Sequence, residues 1–341
     1  MRRSALPLSA AVLFALAASC DVPRTLSQVQ ARHVLVGTLL HTPEVQVDAL
    51  TVLAELDAGE WLADAGIELL EDGGLSFDGG YDLDGGWPLD ADGGWPEEWD
   101  GGIPGLDGGI TLTPDGKITF PAITLAAVQL ATRSGTGLDS SSVSPVTDAA
   151  VLLQPEGGVT ASLTPDGKGN YQLSSVEEPE FTYQENTRYR VVAEVGGDRF
   201  LARVDRSPAI ERIPEFHPDG GTLSLPAGQP FTFTRPEPPQ DEQRNFGLVT
   251  VFPVTSNGRR GNPTYTTAPT RPADVLSLVA SPAQWRTTRV TVPGTAFPEP
   301  NTTYVVLFQS MRLGGAESSN LFAGSVLLVG TADVAVVRTS P

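Results

Sequence analysis

The chain has 341 residues, 40% of them apolar, with 36 glycines, 29 prolines and a formal net charge of −19. The length and apolar share suit about two packed domains, while that much glycine and proline argues against long helices and for strands joined by turns. The charge makes nucleic acid a poor partner, since binding a phosphate backbone takes a basic footprint. It is also uneven: 19 of the 41 acids lie between Glu44 and Asp115, a window without Lys or Arg, leaving 22 acids against 22 Lys and Arg elsewhere.

The chain opens with Arg2 and Arg3, an apolar stretch carrying Leu6, Leu8, Val12, Leu13, Phe14 and Leu16, and then small residues up to Cys20. That is the plan of an export signal, and the apolar stretch is short for a permanent span of a bilayer. Leu16-Ala17-Ala18-Ser19-Cys20 resembles the lipobox of bacterial lipoproteins, with the leucine one position further from the cysteine than usual. The resemblance implies cleavage after residue 19 and acylation of Cys20. It also accounts for the chain's single cysteine, which cannot form an internal disulfide and would otherwise be a stray exported thiol. An ordinary cleaved signal near Ala18 or Ser19 is the alternative. Residues 1–19 are thus expected as a signal peptide and 20–32 as a tether. Asp21 leaves the choice between inner and outer membrane open.

His33 to Leu40 reads as a first strand. Thr42-Pro43-Glu44 resembles a helix start, with Leu50, Leu53 and Leu56 along one face, although Val45 and Val47 fit a strand equally well. From about 71 to 112 the chain is low-complexity, with Asp-Gly-Gly recurring at Asp72, Asp78, Asp84, Asp92, Asp100 and Asp107. Glycine entropy and like-charge repulsion, with no hydrophobic period to offset them, predict a disordered insertion here.

Strands are then expected at Ile118–Phe120, Leu125–Ala131, Ala150–Leu153, Tyr171–Leu173, Tyr189–Val195 and Phe200–Val204, the last two joined as a hairpin by Gly196-Gly197-Asp198. Leu112-Thr113-Pro114-Asp115-Gly116-Lys117 recurs as Leu163-Thr164-Pro165-Asp166-Gly167-Lys168, a shared turn solution rather than a duplicated domain. Gly169-Asn170-Tyr171, Tyr189-Arg190-Val191-Val192-Ala193 and Phe200-Leu201-Ala202 resemble the corresponding stretches of Ig-like and carboxypeptidase-regulatory-like modules of surface lipoproteins. That resemblance implies a sandwich fold over about half the chain and no particular function.

Pro208 to Pro226 is expected as an interdomain linker. Further strands are predicted at Phe231–Phe233, Phe246–Val254, Val275–Val279, Thr288–Val292 and Thr303–Phe308. Val326–Val329 and Val334–Val337 read as a final hairpin turning at Gly330-Thr331-Ala332-Asp333. The expected architecture is all-β: two Ig-like β-sandwich domains, 33–207 (containing the acidic insertion after its first strand) and 227–341.

Little in the chain offers catalytic chemistry. His33, His41 and His217 are its histidines, none is flanked by a nucleophile elbow, and no closed zinc set or phosphate-cradling loop occurs. Asp82, Asp84, Asp90, Asp92, Glu97 and Glu98 place carboxylates beside glycines in a composition able to wrap calcium, but the EF-hand register fails. Trp87, Trp95 and Trp99 either pack on the sandwich or form a recognition patch. Asn301-Thr302-Thr303 matches a glycosylation acceptor, a pattern expected by chance. The sequence therefore predicts a non-enzymatic envelope protein, exported and bound to a membrane through the Cys20 lipid. It would bind an envelope protein or glycan for adhesion or scaffolding, with no cofactor. A calcium-binding surface module is the alternative, and a hydrolase a more distant one.

Overall fold

The computed structural model describes residues 28, 30–48, 67–69, 75–77, 111–112, 117–133, 143–218, 221–239, 242–254, 261–268, 278 and 281–341. Almost all of their regular structure is β. The first strands are β1 (His33–Thr42), β2 (Val45–Asp48), β3 (Ile67–Leu69), β4 (Leu75–Phe77), β5 (Thr111–Leu112), β6 (Lys117–Phe120), β7 (Ile123–Arg133) and β8 (Val143–Pro145). Next come β9 (Ala150–Pro155), β10 (Ala161–Pro165), β11 (Asn170–Ser174), β12 (Tyr189–Val195) and β13 (Asp198–Val204). The remainder are β14 (Thr222–Pro226), β15 (Phe231–Thr234), β16 (Phe246–Pro253), β17 (Tyr265–Thr266), β18 (Arg289–Val292), β19 (Thr303–Ala316) and β20 (Val326–Ser340).

The expected sandwich architecture is present as two cores. Along the main sheet the path β20-β1-β7-β11-β10-β9-β12-β13-β19 returns to β20 through the β19–β20 pairing. Two joints in this ring are short: β10–β11 pairs at Thr164↔Gln172 and Pro165↔Tyr171, and β13–β19 at Ala202↔Ala316 and Arg203↔Gly315. The ring therefore flattens into two layers, β10-β9-β12-β13 and β11-β7-β1-β20-β19. Both layers send alternate side chains into one core, among them Leu153, Val191 and Phe200 from the first and Leu35, Val128, Tyr171 and Val329 from the second. The second core lies between β14-β20-β19-β16-β17 and the two-stranded sheet β15–β18, and is filled by Phe233, Val251, Val292, Tyr304, Phe308 and Val337. A third cluster, Phe246, Leu248, Leu278, Met311, Leu313 and Leu328, backs the same sheet, with Trp285 of the one-turn helix Pro282–Trp285 against it.

Turn chemistry follows the sequence closely. In the β12–β13 hairpin, Gly196 and Gly197 take φ of 59° and 88°, the two successive positive values that a tight hairpin turn requires. After β10, Gly167 has φ of 76°, and Asp166 Oδ1 accepts the backbone N–H groups of Lys168 (2.7 Å) and Asn170 (3.0 Å).

Three expectations are corrected. Thr42-Pro43-Glu44 does not start a helix: β2 follows, with Val45 buried, Gln46 exposed and Val45 opposite Phe120 of β6. Alternation of two, not a helical stripe, is what the local core uses. The stretch 208–226 is not a bare connection, because Ile213 and Phe216 are fully buried in the second core and β14 pairs with β20. Within the acidic stretch, Leu75–Phe77 pairs with Ile67–Leu69 and Thr111–Leu112 pairs with β6; its other residues lie outside the described residues. The final strand does not turn at Gly330–Asp333. It runs unbroken for 15 residues, and Gly330, Thr331 and Asp333 lie opposite Met311, Ser310 and Phe308. Of the strand expected at 275–279, only Leu278 is described.

Each sandwich also carries the same corner. Asn186 and Asn301 are the non-glycine residues of positive φ, 54° and 53°, among those described, and each opens an Asn-Thr-x-Tyr sequence ending at Tyr189 or Tyr304. The Tyr189 hydroxyl accepts the N–H of Gln184 at 2.7 Å, and that of Tyr304 accepts the N–H of Glu299 at 3.0 Å. Ser207 accepts from Thr187 N–H and donates to Gln184 O; Thr339 accepts from Thr302 N–H and donates to Glu299 O. A buried tyrosine bonding back a few residues is a hallmark of Ig-type sandwiches. Burial pushes the Tyr189 hydroxyl up to about 12 and raises that of Tyr304. Tyr189→Phe and Tyr304→Phe each orphan a backbone N–H, an expected loss of about 1–3 kcal/mol in urea unfolding. A loss under about 0.5 kcal/mol at both positions would remove the corners from the account of stability.

Candidate functional site

The long hairpin β19–β20 crosses from one core to the other, and its shared face turns polar where it crosses. Along β20, Leu327 and Val329 enter the first core, Thr331 and Asp333 follow at the same parity, and Ala335 and Val337 enter the second. Along β19, Tyr304, Val306 and Phe308 lie in the second core, then come Ser310 and Arg312, and Ala316 lies in the first. Strand periodicity alone puts these residues on one line. The resulting polar seam between the cores gathers Asp333, His217, Arg212, Glu211, Arg235, Glu242 and Arg312.

Asp333 is at the centre of one half. Its side chain is 0% exposed, and Oδ2 accepts the Ile213 N–H at 2.7 Å. His217 Nε2 lies 2.9 and 3.0 Å from its two oxygens, and Arg212 Nη1 lies 3.9 Å away. The 3₁₀ turn Pro214–Phe216 presents both groups, with Ile213 before it and His217 after. Burial raises the Asp333 carboxyl above the ordinary carboxylate range, with Ile213 N–H, His217 and Arg212 acting in the opposite direction.

The other half is built on Arg235, whose side chain is 0% exposed. It donates from Nε to Glu211 Oε1 (2.6 Å) and from Nη2 to Glu211 Oε2 (3.0 Å) and Asn245 O (3.0 Å), and its guanidinium lies 5.0 Å from the Phe308 ring. Ser310 donates to Glu211 Oε2 at 2.7 Å, and Asn245 donates to Ser310 at 3.1 Å. Arg312 then bridges Asn245 Oδ1 (2.8 Å) and Glu242 Oε2 (3.0 Å), and Arg206 pairs with Glu242 and with Asn186 of the first corner. The chain of bonds runs from one sandwich to the other.

A related device sits where β19 meets β13. Arg190 and Arg203 face each other across β12–β13, a repulsive pairing. Glu317 lies between them, bonded to Arg190 at 2.8 and 2.9 Å and to Arg203 at 3.1 Å. Burial works to raise the Glu317 carboxyl, but the hydrogen bonds and charges of the two arginines outweigh it and hold the group below its ordinary range.

These groups neutralise and orient one another. His217 Nε2 faces the two carboxylate oxygens of Asp333, and among the described residues no group of three His, Cys, Asp or Glu is arranged to hold a metal ion. The remaining histidines pack at the two ends of β1. His33 tilts against Phe200 at 4.2 Å, while His41 stacks on Tyr183 at 5.1 Å and bonds to Thr124 Oγ1 at 2.9 Å. The sequence-predicted residues Cys20, Asp82, Asp84, Asp90, Asp92, Glu97, Glu98, Trp87, Trp95 and Trp99 all lie outside the described residues. The seam itself escaped sequence reasoning. Its one local signal is the polar pair Thr331 and Asp333 set at core parity inside an apolar run.

No family model matches the chain, and no curated protein matches it. Among solved structures, a titin fragment of several domains aligns over 70% of this chain and 84% of its own length, at 12% identity and a TM-score of 0.19.

Burial lowers the His41 imidazole from its ordinary value, with Glu185 opposing, and lowers His33 likewise, with Asp198 opposing. A folded-state value below the unfolded one means that the unfolded chain binds more protons as pH falls. His41 therefore contributes stability that is present above about pH 6.5 and is lost as pH falls through the folded-state value. The urea midpoint is expected to drop between pH 7.5 and 5.5, and His41→Gln to flatten that drop. An unchanged slope in the variant would sink the assignment.

Proposed function

We propose that this protein is a lipid-anchored component of a bacterial cell envelope with a binding, adhesion or scaffolding role, and that it is not an enzyme. The plan of residues 1–20 carries the reading: two arginines, an apolar stretch, small residues and the chain's single cysteine at its end. The multiple acyl chains that the lipobox resemblance implies for Cys20 would hold the protein durably, since one chain holds a protein only marginally. The two-sandwich body supports the display half of the reading, because such sandwiches present loops on a rigid frame. The partner class is an envelope protein or glycan, and no cofactor enters the reading. Cys20→Ser is expected to move the protein from the membrane fraction to the soluble exported fraction, with acyl chains on the wild-type N-terminus seen by mass spectrometry. Equal membrane retention of the serine variant would overturn the proposal.

A further inference from the structure

The chain enters its folded body at one end of the long hairpin. Gln28, 1% exposed, donates from Nε2 to Ala316 O (3.3 Å) and Ser318 O (3.1 Å), and its carbonyl accepts the Ala323 N–H at 2.9 Å. Five residues later His33 O accepts the Phe322 N–H at 2.7 Å, and His33 bridges to Leu321. The turn between β19 and β20, residues 317–325, is therefore tied to the start of the body by bonds on both sides of the entry. Eight peptide steps separate Gln28 from Cys20, a reach of under about 30 Å even when fully extended.

The opposite end of the hairpin is distant. Between the pair Gly315↔Val326 and the pair Thr303↔Arg338 the strands run twelve residues, about 40 Å at the rise of a β-strand. The rim there is formed by Pro226–Gln229 and Glu299–Thr302: Ala227 N–H bonds Ser340 O, Gly228 N–H bonds Phe297 O and Asn301 N–H bonds Thr339 O. Because β19 and β20 are continuous through both cores, the two ends are held apart by one stiff element. Resting on the lipid-anchor reading above, we infer that the anchored protein stands with the 317–325 turn facing the membrane and carries the second sandwich outward.

Acylated full-length protein carrying Ser319→Cys or Glu299→Cys, both at exposed positions, tests this. Each introduced thiol takes a donor dye, Cys20 being blocked by its acyl chain, and the protein is placed on phosphatidylcholine vesicles bearing an acceptor in the headgroup layer. Flotation with the vesicles, with energy transfer several-fold stronger from position 319 than from 299, is the expected result. Flotation with equal or reversed transfer overturns the orientation and leaves the anchor standing. A chain that fails to float overturns the anchor, and the orientation falls with it.

Discussion

Truncating Leu35 to alanine is expected to unfold the far sandwich as readily as the near one. Leu35 is fully buried in the first core, on the strand that pairs in parallel with β20, and removing three buried carbons there costs about 2–5 kcal/mol. The loss is not confined, because β20 is a wall of both cores: Leu327 and Val329 belong to the first, Ala335 and Val337 to the second. Opening the first sandwich strips β1 from β20 and frays the β19–β20 ladder that the second core rests on. Hydrogen exchange read in urea on peptides from β12 and from β16 should give coincident midpoints in the wild type. Both should fall by the same amount in Leu35→Ala. Two separate transitions, with only the β12 peptide shifted, would show that the hairpin does not couple the halves.

The elements legible in the sequence are those decided locally. Tyr189–Val204 reads as a hairpin because two glycines mark its turn, and Asp166 reads as a turn residue because its carboxylate has backbone N–H groups two and four residues on. Gly330-Thr331-Ala332-Asp333 carries the composition of a turn, and nothing within ten residues says otherwise. What keeps it extended is remote: Gly330 and Thr331 pair with Met311 and Ser310 on one side and with Leu40 and His41 on the other, and Asp333 meets Ile213 N–H and His217. Thr42-Pro43-Glu44 failed for a similar reason, since Val45 is claimed by a strand more than seventy residues away. The Asn-Thr-x-Tyr recurrence becomes meaningful only in the structure, where Ser207 and Thr339 close both corners alike. Of the candidate site, the polar residues could be read and their convergence could not. Glu211, Arg235, Asn245 and Ser310 are scattered over a hundred residues and meet only because two cores share one hairpin.

Replacing Arg235 with methionine is expected to cost about 3–5 kcal/mol, the magnitude for removing one partner of a buried ion pair. The guanidinium holds Glu211 through two bonds and satisfies the Asn245 carbonyl, all out of water. Without it, Glu211 keeps the Ser310 hydroxyl as its side-chain donor among the described residues, so a carboxylate is left largely uncompensated. Most of the loss is therefore the penalty on Glu211 rather than the intrinsic worth of the pair. That makes a second result follow: Glu211→Met in the Arg235→Met background should recover a large part of the stability, because the acid that suffers is gone. Urea unfolding of the two single variants and the double variant, assembled as a thermodynamic cycle, measures both effects. A single-variant cost below about 1 kcal/mol would mean that water reaches the seam and screens Glu211. A double variant less stable than either single one would mean that the pair contributes through packing and shape, with its charge secondary.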